Sequence, residues 1–112
     1  MDNTLTILWT NADPVTAKLM VFMYSKGALS RSWWKKVRII IWGATAKLVA
    51  ENEEIQESLL ELKEMGVEVD GCISCANELG VTDKLASLGL SLKKMGEPLT
   101  DVIKSGGKLI TV

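Results

Sequence analysis

Apolar residues along the chain fall into two kinds of pattern, which alternate from one end to the other. Short β-branched or aromatic runs predict strands, and Ile39, Ile40 and Ile41 form a run typical of a strand covered on both faces. Stretches with apolar residues at helical spacing separate these runs. Five strands are predicted, at residues 4–9, 36–42, 67–71, 90–95 and 108–112.

The first predicted helix follows the first strand directly. Asp13 suits the N-cap and Pro14 the first helical position, so the helix is expected from Pro14 to about Lys26, stopped by Gly27. Its apolar face is broad, which predicts burial on two sides; the residues concerned are Val15, Leu19, Met20, Val21, Phe22 and Met23. Further helices are predicted at 44–49, at 53–65 behind an Asn52 cap, at 72–79, at 82–88 and after Gly96.

Helices between successive strands favour a parallel sheet with helices on both faces. We therefore expect a three-layer α/β/α fold with a five-stranded, mainly parallel sheet and residues 36–42 as its central strand. A length of 112 residues fits one domain, residues 1–112, and the sequence contains no internal repeat or linker.

Composition removes several classes of function. Histidine is absent, which excludes a Ser-His-Asp triad, a Cys-His pair and any histidine-ligated metal. A net charge of -1 gives no field that would recruit nucleic acid, and the longest apolar run, from Ile39 to Ala46, is too short for a membrane span. The charge is unevenly spread, because residues 1–50 carry seven basic and two acidic side chains and residues 51–112 carry six and twelve.

The cellular compartment is predicted from the amino terminus and the cysteines. The segment from Met1 to Thr4 lacks the basic and apolar regions of a signal peptide, so a cytoplasmic location is expected. In that reducing compartment Cys72 and Cys75 should be free thiols.

Ligands of open α/β sheets bind beyond the carboxyl ends of the strands, which directs attention to four segments. These are residues 10–13, 43–45, 72–75 and 96–98. Only the third contains an intrinsic nucleophile, and Cys72 is predicted at a strand-to-helix junction, where free amides favour a thiolate.

The Cys72-x-x-Cys75 spacing leaves several interpretations open. The two residues can pack as small apolar side chains, or form a reversible disulfide. A closed zinc site needs four ligands, which this chain offers only across a subunit interface or with carboxylates, so no metal site is predicted.

Four segments together resemble the DsrE/DsrF-like family: residues 7–14 (ILWTNADP), 39–43 (IIIWG), 71–81 (GCISCANELGV) and 96–100 (GEPLT). The resemblance implies a parallel α/β fold, homo- or hetero-oligomers, and relay of sulfane sulfur as a cysteine persulfide. It identifies Cys72 with the family's cysteine at the end of the third strand, and places Cys75 in the added Cys-x-x-Cys of one subgroup.

On this resemblance we predict a sulfur carrier or sulfurtransferase-like protein without a cofactor. Cys72 would attack a sulfane donor and hold the persulfide, and Cys75 would resolve it. Substrate-binding positions are predicted at Asn11, Gly43, Thr45 and Ser74. The partners expected are a sulfur donor or acceptor protein.

Two other functions remain open at this point: a thiol-disulfide redox protein, and a non-catalytic, ligand-binding homo-oligomer. A homo-oligomer is also expected from surplus apolar surface, since Trp33 and Trp34 lie in a basic segment between the first helix and the second strand.

Overall fold

The computed structural model describes residues 3–112; Met1 and Asp2, used above to predict the compartment, lie outside them. Its centre is a five-stranded sheet in the order β4-β3-β2-β1-β5, with every pair parallel. The α/β fold with a parallel sheet is therefore confirmed, and β2 is the central strand as predicted. The strands are β1 (Thr4–Trp9), β2 (Lys36–Ile41), β3 (Glu68–Cys72), β4 (Ser91–Lys93) and β5 (Lys108–Thr111).

The helical segments lie where they were expected, except that the first helical stretch is longer than predicted. They are α1 (Pro14–Thr16), a π-helical segment (Ala17–Phe22), α2 (Met23–Ser30), α3 (Ala44–Glu51), α4 (Glu53–Met65), α5 (Ile73–Leu79), α6 (Thr82–Ser87) and α7 (Gly96–Lys104). Asp13 caps α1 by accepting a hydrogen bond from the amide of Val15 at 2.9 Å. Asn52 caps α4 in the same way, through the amide of Ile55 at 3.0 Å.

The prediction that Gly27 stops the first helix is wrong. The helix continues through Gly27 and ends at Ser30, with Arg31 as its C-cap. Gly27 keeps a negative φ, and a Cβ built on it would lie 3.6 Å from the Trp33 ring. The small residue therefore gives the indole a surface to pack on and does not supply a left-handed turn.

The helices are divided unequally between the two faces of the sheet, and the strand order explains why. From β1 to β4 each crossover steps in the same direction, so right-handed connections place α1 to α6 on one face, the core face. The return from β4 to β5 runs in the opposite direction across the whole sheet and places α7 on the other face. Val102 of α7 accordingly lines a cavity of about 200 Å³ with Thr6 and Arg38 of that second face.

The core face holds most of the buried apolar residues. Ile7, Val37 and Ile39 are fully buried there, against residues such as Val21 and Leu59 of the helices. The expectation that the first helix is buried on two sides does not hold for the single chain. Its outer positions are exposed: Val15 by 60%, Leu19 by 62% and Met23 by 60%.

The second face is polar along most of its length and apolar at the carboxyl ends of the strands. Asp70 of β3 accepts a hydrogen bond from Arg38 of β2 at 3.1 Å, and Lys93 of β4 lies 3.5 Å from the same carboxylate. At the carboxyl end, Ile40 and Met95 form a small buried cluster with Cys72. The cysteine pair is therefore part of the thinly covered face.

Candidate thiol site

The site begins at the last residue of β3. Cys72 ends that strand in an extended conformation and is also the N-cap of α5, so it occupies the predicted strand-to-helix junction. The preceding residue leaves room for a side chain of β4, because a Cβ on Gly71 would lie 2.6 Å from Cδ2 of Leu92. Glycine at this position therefore lets the Leu92 side chain lie against β3.

Two hydrogen bonds converge on the sulfur of Cys72. The Cys75 thiol donates to it with an Sγ–Sγ distance of 2.9 Å, and the Cys75 backbone amide donates to it at 3.4 Å. Both cysteines are free, and they differ in exposure, since Cys72 is only 6% exposed whereas Cys75 is half-buried. In this arrangement the Cys72 sulfur is the acceptor and Cys75 is the hydrogen-bond donor.

Electrostatics act on the Cys75 thiol in two directions. Burial raises the pKa of the Cys75 thiol above its ordinary value, and the hydrogen bond to Cys72 raises it further. A hydrogen bond from the backbone of Gly43 acts in the opposite direction and lowers the pKa of Cys75. The net effect raises the pKa of the Cys75 thiol.

Gly43 links the second strand to the cysteine pair. Its backbone has φ 67° and ψ -132°, a conformation open to glycine and strained for other residues. A Cβ at this position would have no neighbour within 4 Å, so the need for glycine comes from the backbone and not from crowding. The Gly43 backbone is also one of the groups that set the pKa of Cys75.

Asn11 and Thr45 connect the end of β1 to α3. Thr45 is fully buried, and its hydroxyl donates to the carbonyl of Trp9 at 2.8 Å. The Asn11 side-chain oxygen accepts a hydrogen bond from the amide of Asp13 at 2.7 Å, which shapes the turn into α1. Both side chains support the loops beyond the strand ends, and their role toward a ligand stays a prediction.

The remaining contacts include one predicted residue and two that were not foreseen. Ser74 is exposed on α5, and its role as a binding residue also stays a prediction. Met95, 1% exposed, and Ile40, fully buried, pack with Cys72. Met95 directly precedes segment 96–98, so the expectation that ligands bind at the strand ends already indicated this part of the chain. Ile40 could be assigned to the site only once the structure shows which β2 side chains point to the second face.

The described residues present no group of three or more potential metal ligands. None of the helices within residues 3–112 combines the length and the apolar character that crossing a membrane requires.

The fold is shared with known proteins of solved structure. The model of the DsrE/DsrF-like family matches residues 5–112. A structure from Bacteroides thetaiotaomicron, BT1422, described as a conserved protein of unknown function, is 37% identical to this chain, with a TM-score of 0.95. That alignment covers 98% of this chain and 95% of the other.

A second structure, the YchN protein from Escherichia coli, has the same fold at much lower identity. It is 18% identical, with a TM-score of 0.64 and complete coverage of both chains. No curated protein matches the sequence.

Proposed function

The chain belongs to the DsrE/DsrF-like family, and from this premise we propose that it is a sulfur-relay protein which carries sulfane sulfur as a persulfide on Cys72. Loading is a displacement: the Cys72 thiolate attacks the outer sulfur of a persulfide donor, a new S–S bond forms, and the donor leaves as a thiol. The reaction needs no metal and no cofactor. The proposed partners are the molecules or proteins that donate the sulfur and accept it.

The observation that supports this proposal is the pair of hydrogen bonds to the Cys72 sulfur. A thiolate is the nucleophile in sulfur exchange, and the Cys72 sulfur is the one toward which a thiol and a backbone amide are directed. Since α5 has only seven residues, the contacts with Cys75, and not a helix dipole, distinguish this sulfur.

The other predicted positions have supporting roles in this proposal. Gly43 presents its amide to Cys75, while Thr45 holds the loop after β1 through the Trp9 carbonyl. Asn11 and Ser74 are both exposed, and we assign them to contact with the incoming donor. Alanine at either position should slow loading without abolishing it.

Intact-mass measurement tests the loading step. The reduced protein, Cys72→Ser and Cys75→Ser are each treated with glutathione persulfide. We expect Cys75→Ser to gain one sulfur atom and Cys72→Ser to gain none. Sulfur on Cys72→Ser at the level of Cys75→Ser would refute the assignment, and circular dichroism of each variant checks that it is folded.

A second proposal concerns self-association, and the exposed apolar side chains favour it. Val15, Leu19, Met23 and Trp33 are each more than half exposed, and a groove of about 380 Å³ lies between Leu19 and Trp33. We propose a homo-oligomer in which this surface meets a second copy, because the basic first half of the chain is complementary to its acidic remainder.

Light scattering tests the homo-oligomer. We expect a solution mass that is a multiple of the chain mass, shifted toward the monomer in Leu19→Glu. A wild-type protein that is monomeric at high concentration would refute this second proposal. A cytoplasmic location, expected from the sequence, is a further proposal, which fractionation of cells expressing the native protein would test.

A further inference from the structure

A second thiol is in contact with the sulfur that would carry the cargo. Cys75 is such a thiol, since its Sγ lies 2.9 Å from the Cys72 Sγ. A persulfide is an activated disulfide, and the nearest thiol is the one best placed to attack its inner sulfur. The question is therefore what Cys75 does once Cys72 is loaded.

We propose that the pair reduces the carried sulfur: Cys75 attacks the Cys72 sulfur of the persulfide and expels hydrogen sulfide, leaving a Cys72–Cys75 disulfide. This step rests on the proposed loading of Cys72 and adds a persulfide reductase activity to it. The bond between Cys72 and the outer sulfur breaks, and the bond between the two cysteine sulfurs forms. The proton of the Cys75 thiol leaves with the product as H₂S.

The balance over one turnover is complete. One persulfide and the two protein thiols give one donor thiol, one H₂S and the protein disulfide. The two electrons that reduce the sulfane sulfur come from the two cysteines. Each further turnover consumes an external dithiol, which returns the disulfide to Cys72 and Cys75 by thiol exchange.

The surroundings of the two sulfurs favour internal attack over transfer to a large external thiol. Cys72 is 6% exposed and packs against the buried side chains of Ile40 and Met95. Cys75 is already in contact and therefore reacts without the cost of bringing two molecules together. The same enclosure restricts the substrate to a narrow sulfane chain end, as in low-molecular-weight persulfides and polysulfides.

The proton of Cys75 has an acceptor within the pair. Attack requires the Cys75 thiol to lose its proton, and in the reduced protein that thiol already donates to the Cys72 sulfur.

A single-turnover experiment tests the reduction step. The reduced protein, freed of excess reductant, is mixed with one equivalent of glutathione persulfide. Released H₂S is trapped with monobromobimane and the protein mass is recorded. Wild type should release about one H₂S per chain and become two hydrogens lighter, with no retained sulfur. Cys75→Ser should retain one sulfur atom and release at least tenfold less H₂S.

The controls separate this inference from the loading step. Glu78→Gln changes an exposed side chain on α5 and should behave as wild type. Wild type that keeps the added sulfur on Cys72 and releases no H₂S would overturn the reductase step while leaving the carrier intact. Failure of both wild type and Cys75→Ser to take up sulfur or release H₂S would refute loading itself. Cys75→Ala repeats the test without a hydroxyl at that position.

Discussion

The two faces of the sheet are built from the same strands but differ in what covers them. The core face packs against α1 to α6 and contains fully buried side chains such as Ile7 and Ile39. The second face carries α7 and leaves a charged cluster around Asp70 together with the cysteine pair near its surface. Stability is therefore expected to depend on the first face and chemistry on the second.

The largest expected effect is a loss of core packing. Ile39→Ala removes a fully buried side chain from the core face and should lower the free energy of unfolding by about 2–5 kcal/mol. Leu8→Ala, on the second face, removes a half-buried side chain and should cost about half as much. Urea denaturation of both variants measures the difference. Equal losses would break the distinction between the faces.

The next effect tests the close approach of β3 and β4 beside the thiol. Gly71→Ala places a methyl group against Leu92 and should cost about 1–3 kcal/mol in the free energy of unfolding. In a Leu92→Ala background the methyl group has room, so the same substitution should cost much less. Additive losses in the double variant would show that the two side chains do not compete for this space.

A smaller effect is expected in the charged cluster of the second face. The Asp70 and Arg38 side chains are both largely buried. Asp70→Asn weakens the hydrogen bonds between them and should lower the free energy of unfolding by about 1–3 kcal/mol. Glu68→Gln breaks the half-exposed pair with Lys36 and should cost no more than about 1 kcal/mol. Thermal unfolding compares the stability losses of the two variants. A larger loss in Glu68→Gln than in Asp70→Asn would contradict the expectation that the more buried pair contributes more.

The smallest expected effect is a pH dependence of stability. Because burial raises the pKa of Cys75 in the folded chain, the unfolded chain loses this proton first as the pH rises. The contribution of the Cys75 proton to stability is complete below the ordinary thiol pKa of 9.0. It disappears as the pH rises through the higher pKa that Cys75 has in the folded chain. Wild type should therefore lose stability above pH 9.0 relative to Cys75→Ser, and parallel pH profiles would contradict this.

Much of the fold could be predicted from the sequence, because local patterns specify it. The Ile39–Ile41 run marks the central strand, and Asn52 marks the start of α4. The end of the first helix could not be predicted in this way, since Gly27 keeps a negative φ and the helix continues through it to Ser30. The prediction that Val15 and Leu19 are buried was also wrong, because an apolar helix face does not reveal whether the residues that pack on it belong to the same chain.

The site shows the same limit. The Cys-x-x-Cys spacing and the rule of strand ends locate Cys72, but they do not reveal that Cys75 donates to it. That contact depends on the course of the chain from β3 into α5. Ile40 likewise becomes part of the site only through the side of the sheet on which it lies.

The most direct test of the division of roles is site-resolved alkylation of the native protein. Brief treatment with iodoacetamide at neutral pH, followed by mass spectrometry of the peptides, compares the two thiols in one chain. We expect Cys72 to react faster than Cys75 despite its lower exposure, and the two rates to converge in urea. Faster modification of Cys75 in the native protein would contradict the assignment of Cys72 as the nucleophile.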